Sequence, residues 1–142
     1  MSTLAEDNLS IAAQFSTRMK TILVADDEEV VRMFLAAALR HRGYKTISAK
    51  SGADGLRRFS DHQSEIDLVI SDILMPDVSG YQMVKAIRAI RQDVPVLFVT
   101  GTMQDLPTWV KESCGVLRKP FSLVNFQTAV DESLSAHLAT IQ

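Results

Sequence analysis

Hydrophobic and polar positions alternate between two periods along this chain, and the switches mark its elements. "TILVA" (21–25) is an unbroken apolar run, as expected for a strand buried on both faces. Val31, Phe34, Leu35, Ala38 and Leu39 then recur at helical spacing, and Gly43 closes that helix. "YKTISA" (44–49) predicts a second strand. Ser51, with Asp54 three residues on, starts a short helix through Phe59. "IDLVIS" (66–71) predicts the third strand, and Tyr81, Val84, Ile87 and Ile90 mark the next helix. "PVLFVT" (95–100) is the fourth strand. A weakly patterned segment, 103–113, precedes a short fifth strand, "GVLR" (115–118). Ser122 caps a last helix carrying Val124, Phe126, Val130, Leu134 and Leu138.

Strand and helix thus alternate five times, which predicts an α/β fold with a parallel sheet and helices on both faces. Five such units suit an open, doubly wound sheet; a closed barrel needs eight. In open sheets of this kind, sites form at the carboxyl ends of the strands. Residues 1–19 stand apart from the pattern, which divides the chain into an extension, 1–19, and a domain, 20–142. Thr3 and Glu6 could make a capping box, and Leu4, Ile11 and Phe15 share a helical face that Asn8 interrupts. The extension reads either as a tail or loose helix, or as a helix that docks or dimerises. Met19 is an alternative start.

Composition narrows the function. The chain has 142 residues, the size of one domain, and 46% hydrophobic and 23% charged residues, near the globular average. A net charge of −2 gives no basic field for nucleic acid, so direct DNA binding is not expected. No apolar run approaches a membrane span, and the N-terminus lacks the order of a signal peptide. A single cysteine, Cys114, cannot form an internal disulfide, which suits a reducing cytoplasm.

The residues at the predicted strand ends carry the chemistry. Asp26 and Asp27 follow the first strand, Asp72 the third; Thr100 ends the fourth, and Arg118, Lys119 and Pro120 end the fifth. Each has an ordinary structural explanation alone: an Asp pair caps a helix, a strand-end Thr is commonplace. Together they put three carboxylates, a hydroxyl and an ammonium on one rim. Two like charges 4 Å apart repel by roughly 4 kcal/mol at an effective dielectric of 20. Lys119 offers one compensating charge, and a hard divalent cation would offer two. Mg²⁺ prefers oxygen ligands and is usually held by one or two carboxylates plus a phosphate. One carboxylate is then free to act as a nucleophile and form an acyl phosphate. "VISDILMPDVSG" ends its strand on a carboxylate because a nucleophile is needed beside a metal.

"ILVADDEEVVR", "DLVISDILMPDVSGYQMVKAIR", "VLFVTG" and "LRKPF" resemble the receiver domain of two-component response regulators, over residues 20 to about 138. The resemblance implies a flavodoxin-like (βα)5 sheet in the order 2-1-3-4-5. It implies that Asp72 is the phosphoacceptor for a histidine kinase phosphohistidine or a phosphotransfer protein. It further implies that Asp27 binds Mg²⁺ (or Mn²⁺) directly and Asp26 through water, with Asp72 and the Leu74 carbonyl completing the metal site. Thr100 would be the switch hydroxyl and Lys119 the ion-pairing lysine, before a cis bond to Pro120. Such a chain is a signalling domain that promotes its own phosphorylation and dephosphorylation rather than an enzyme in the usual sense. It works through a downstream target, with a homodimer as an alternative.

Two departures qualify this. The family's aromatic switch residue, three before the lysine, is here Val116, which cannot swing as a tyrosine does. The segment between Thr100 and Lys119 is short and contains Pro107, which either disrupts a helix or could sit at a first helical turn; either way the fourth helix should be short, shifted or mobile. Trp109, the one large aromatic there, is then the candidate moving part. A haloacid-dehalogenase-like phosphatase, whose motif needs a second acid two residues after its nucleophile, finds only Glu28 at that place after Asp26, and it is disfavoured because no acidic metal motif follows Lys119. A receiver-like docking module that works without phosphate is the remaining alternative.

Overall fold

The computed structural model describes residues 19–141, with side chains through residue 136. The features expected of the extension, apart from Met19, lie outside the described residues. Strands β1 (Thr21–Ala25), β2 (Lys45–Ala49), β3 (Ile66–Asp72), β4 (Val96–Thr100) and β5 (Gly115–Arg118) alternate with helices. These are α1 (Glu29–His41), α2 (Gly52–Asp61), α3 (Gly80–Ile90), α4 (Thr108–Ser113) and α5 (Leu123–Ile141). All neighbouring strands pair in parallel, in the order β2-β1-β3-β4-β5. This is the flavodoxin-like, doubly wound sheet expected.

Alternation along each strand sends successive side chains to opposite faces. Leu23, Val69, Val96 and Phe98 meet α2, α3 and α4 through Phe59, Met83, Ile87 and Val110. Ile22, Val24, Leu68, Ile70, Leu97 and Val99 meet α1 and α5 through Leu35, Leu39, Phe126 and Val130. Both faces of the central strands are therefore buried, which is why they read as continuous apolar runs.

Local chemistry sets the boundaries. Ser51 Oγ accepts from the Asp54 N–H at 3.0 Å to start α2, and Ser122 Oγ accepts from the Asn125 N–H at 3.0 Å to start α5. A full capping box between Ser79 and Gln82 starts α3, a signal the apolar pattern did not mark. Gly43, at φ 88°, turns the chain out of α1 in the left-handed region that glycine accepts without strain.

The structure corrects several boundaries and faces. β3 runs one residue further and includes Asp72; β2 begins at Lys45 and β4 at Val96, because Pro95 has no N–H to give the ladder. α2 runs two residues past Phe59. Phe34 is 47% exposed: at about 100° per residue it sits at the edge of the buried row of Leu35 and Leu39, and Ala36 is buried instead. Val124 is 67% exposed because it lies about 200° round from Phe126. Ile90, the last residue of α3, is also exposed. Pro107 is not in the first turn of α4. It is the flanking residue before it, with extended backbone, and α4 is only six residues long.

Among the described residues, no helix is long and apolar enough to cross a membrane.

Candidate functional site

The acidic cluster forms where β1 and β3 lie side by side at the centre of the sheet. Asp26 directly follows β1 and is buried; its N–H donates to the Ala49 carbonyl at 3.1 Å, which continues the ladder one residue beyond the strand. Asp27 is exposed on the turn into α1. Asp72 ends β3 and is partly buried. These three carboxylates each bring an oxygen within 4.8 Å of the others, the one such acidic, histidine or cysteine group among the described residues.

Lys119 enters from the end of β5. Its Nζ donates to Asp72 Oδ2 at 2.9 Å and stands 3.7 Å from Asp26 Oδ2. Burial works against the ammonium, but the Asp72 hydrogen bond and charge, with Asp26 behind them, outweigh it and hold its pKa above the ordinary lysine value. The Lys119–Pro120 bond is cis, as expected. The Lys119 N–H donates to the Thr100 carbonyl at 2.7 Å, so the ends of β4 and β5 are tied together at the site. The Thr100 side chain is buried, and its Oγ1 accepts from the Thr102 N–H at 3.3 Å.

Asp26 carries the strain of this arrangement. Its Oδ1 accepts from the Glu28 N–H at 2.9 Å, but its Oδ2 is buried without a hydrogen-bond partner. Burial raises its pKa above the usual carboxylate value, and the charges of Asp72 and Asp27 add to that rise. A buried, underpaired oxygen facing two further carboxylates is the donor set that a hard, oxygen-seeking divalent cation fits.

The expected residues Asp26, Asp27, Asp72 and Lys119 are thus brought together, and Thr100 is joined to them through the Lys119 backbone. Leu74 stands two residues beyond Asp72, its N–H donating to Asp72 Oδ1 at 3.2 Å. Val116 pairs with Phe98 in the β4–β5 ladder. Phe98 in turn packs edge-on against Tyr81 and Trp109, with ring centroids 5.4 and 6.3 Å away. Large aromatics therefore gather beside Val116 although that position itself is small.

Some contributors were not foreseen. Arg32 donates to the Asp26 carbonyl at 2.7 Å from one turn into α1. Ser71 Oγ donates to the Asp72 carbonyl at 2.6 Å. Gly80 lets the start of α3 press on the end of β3: a Cβ there would collide with the Asp72 carbonyl oxygen. A Ser before the Asp and a Gly eight residues after it are the only sequence traces of these contacts.

A five-stranded parallel sheet with an acidic triad and a lysine on its carboxyl rim defines a class of signalling domain. The family model described as the response regulator receiver domain matches residues 22–131. The chain belongs to that family, whose members are the receiver domains of two-component systems. It is 37% identical over 119 residues to the sensor kinase CckA of Brucella abortus, covering 80% of this chain and 12% of that protein. It is 32% identical over 107 residues to the response regulator SaeR of Staphylococcus epidermidis, covering 73% of this chain and 45% of that one. The chain therefore spans less than half the length of these relatives. Among solved structures it is similar to the response regulator TrrA of Thermotoga maritima in complex with Mg²⁺ and BeF, with a TM-score of 0.74 and 30% identity. That match covers 82% of this chain and all of that one.

Proposed function

We propose that Asp72 accepts a phosphoryl group from the phosphohistidine of a histidine kinase or phosphotransfer protein. The observation that carries this is the Asp72 carboxylate itself, paired to Lys119 at 2.9 Å and set among Asp26 and Asp27. An Asp72 oxygen forms a new bond to phosphorus while the bond from phosphorus to the histidine nitrogen breaks. The electron pair returns to the imidazole, and an acyl phosphate remains on Asp72. Lys119 balances charge on the transferred group, and the Thr100 hydroxyl is a donor that can turn from its local bond toward a phosphoryl oxygen.

Asp27 and Asp72, the Leu74 carbonyl, and Asp26 through water would hold Mg²⁺, or Mn²⁺ in its place. Bound there, the ion would supply the positive charge that the carboxylate cluster lacks. The domain, residues 20–142, then acts in the cytoplasm by altering its binding to a target protein, as a monomer or a homodimer, and residues 1–19 extend it. Because Val116 cannot swing, the change is carried by the β4–α4 loop and Trp109. That loop already contains Asp105 in the left-handed region at φ 56°.

Val116 favours one second reading, a docking module that works without phosphate. Intact mass after incubation with acetyl phosphate separates the two. The proposal expects an Mg²⁺-dependent gain of one phosphoryl group that Asp72→Ala abolishes. Absence of any gain, together with absence of Mg²⁺ binding, supports the docking module instead.

A further inference from the structure

The β3–α3 loop, residues 73–79, supplies the backbone that borders Asp72, and it is fastened at both ends. Next to Asp72, the Leu74 N–H donates to the carboxylate at 3.2 Å. At the far end, the Gly80 N–H donates to the Ile73 carbonyl at 2.8 Å. Between these points Asp77 reaches out of the loop to another element. Its two carboxylate oxygens accept from the Gly52 N–H at 3.3 Å and the Ala53 N–H at 3.1 Å, the first residues of α2. Gly52 is the matching seat: a Cβ there would collide with the Val78 carbonyl oxygen.

These bonds do more than cap a helix. α2 already has its own local cap, because Ser51 Oγ accepts from the Asp54 N–H at 3.0 Å. The first turn of any helix also leaves further N–H groups unpaired, and here a loop 25 residues distant takes two of them. What Asp77 adds is therefore a tether of the loop. The tether is electrostatically sound, since a carboxylate at a helix start is favoured by the aligned peptide dipoles. Backbone N–H groups, those of Val78 and Ala53 foremost, hold the Asp77 carboxyl below the usual carboxylate range, so it stays ionised well into acid.

We propose that Asp77 is a positioning residue for the chemistry at Asp72, holding the β3–α3 loop on the start of α2 and thereby fixing the Leu74 backbone beside the acceptor. The reaction it serves rests on the function proposed above; the tether does not.

Residue-resolved amide hydrogen exchange of the metal-free protein, paired with calorimetric Mg²⁺ titration, tests this. The variants are Asp77→Ala, Asp77→Asn and, as a control, Ser51→Ala, which removes only the local cap of α2. Asp77→Ala is expected to speed exchange at Leu74 and Gly80 by about tenfold and to weaken Mg²⁺ binding by about fivefold. Asp77→Asn keeps one oxygen acceptor and should fall between it and the native chain. Ser51→Ala should speed exchange within α2 and leave Leu74 and Gly80 alone. Faster exchange confined to Gly52 and Ala53 in Asp77→Ala would make Asp77 a helix cap and overturn the proposal. If Asp77→Ala does not fold, Asp77→Asn decides by the same two amides. A native chain that binds no Mg²⁺ counts against the proposed function, and exchange at Leu74 and Gly80 then decides the tether by itself.

Discussion

At the rim where the strands begin, arginines and a tyrosine meet carbonyls and a carboxylate; at the rim where they end, carboxylates crowd together around one lysine. On the first rim Arg91 donates to the Gln63 and Ile66 carbonyls at 2.8 and 2.6 Å. Arg88 donates to the Ser113 hydroxyl and carbonyl and to the Val94 carbonyl, at 2.8, 2.9 and 3.2 Å. Tyr44 donates to Asp131 at 2.8 Å, and Arg42 pairs with the same carboxylate. On the other rim, Asp26 is buried with one oxygen that lacks a hydrogen bond, 3.7 Å from the Lys119 ammonium and beside two more acids. One rim contributes to holding helices on the sheet. The other holds an excess of negative charge that Lys119 offsets in part.

Three changes would break or sharpen this contrast. The largest effect should come from Arg88→Ala, which strips donors from two carbonyls and releases the C-terminal end of α4. We expect a loss of about 2–3 kcal/mol in urea unfolding, with Mg²⁺ affinity unchanged. A large fall in Mg²⁺ affinity would mean that the two rims are not separate.

Asp26→Asn should do the opposite and stabilise the metal-free protein at pH 7, because it removes a desolvated like charge. The pH dependence has a fixed sign. Since the folded-state pKa of Asp26 lies above 3.8, the folded protein binds this proton more tightly than the unfolded chain. Its penalty is absent below about pH 3.8 and grows as pH rises through the folded pKa. The advantage of Asp26→Asn in thermal unfolding should therefore shrink on acidification and be reversed by Mg²⁺ at pH 7.

The smallest effect concerns α4, which links the rims. Its C-terminal end is held by Arg88, and Trp109 packs on Tyr81 with ring centroids 5.8 Å apart, under the Lys85 ammonium. Phosphorylation should shift Trp109 emission and hydrogen exchange over residues 101–110. Unchanged values for both would remove Trp109 from the signalling route.

Much of this was legible in the chain because parallel strands buried on both faces leave long apolar runs, and the residues that end those runs stand out. Asp26, Asp27, Asp72, Thr100 and Lys119 were read that way. Contacts between elements were less legible. Asp77 looks like a turn residue until the fold brings it to α2, and Arg32 looks like a solvated helix position until it meets the Asp26 carbonyl. Phe34 and Val124 were placed on buried faces by spacing alone, which fixes a side of the helix but not how far the sheet covers it. Pro107 flanks α4 one position before its first turn, since proline fits both the first turn and the residue before it.

The central claim is that Asp72, and neither of its acidic neighbours, is the acceptor. Sodium borohydride reduces an acyl phosphate to an alcohol with release of phosphate, so peptide mass spectrometry after acetyl phosphate treatment locates the modified residue. The account predicts conversion of residue 72 to a homoserine side chain, only when Mg²⁺ is present. Conversion at Asp26 or Asp27, or a phosphoryl gain that borohydride leaves untouched, would contradict it.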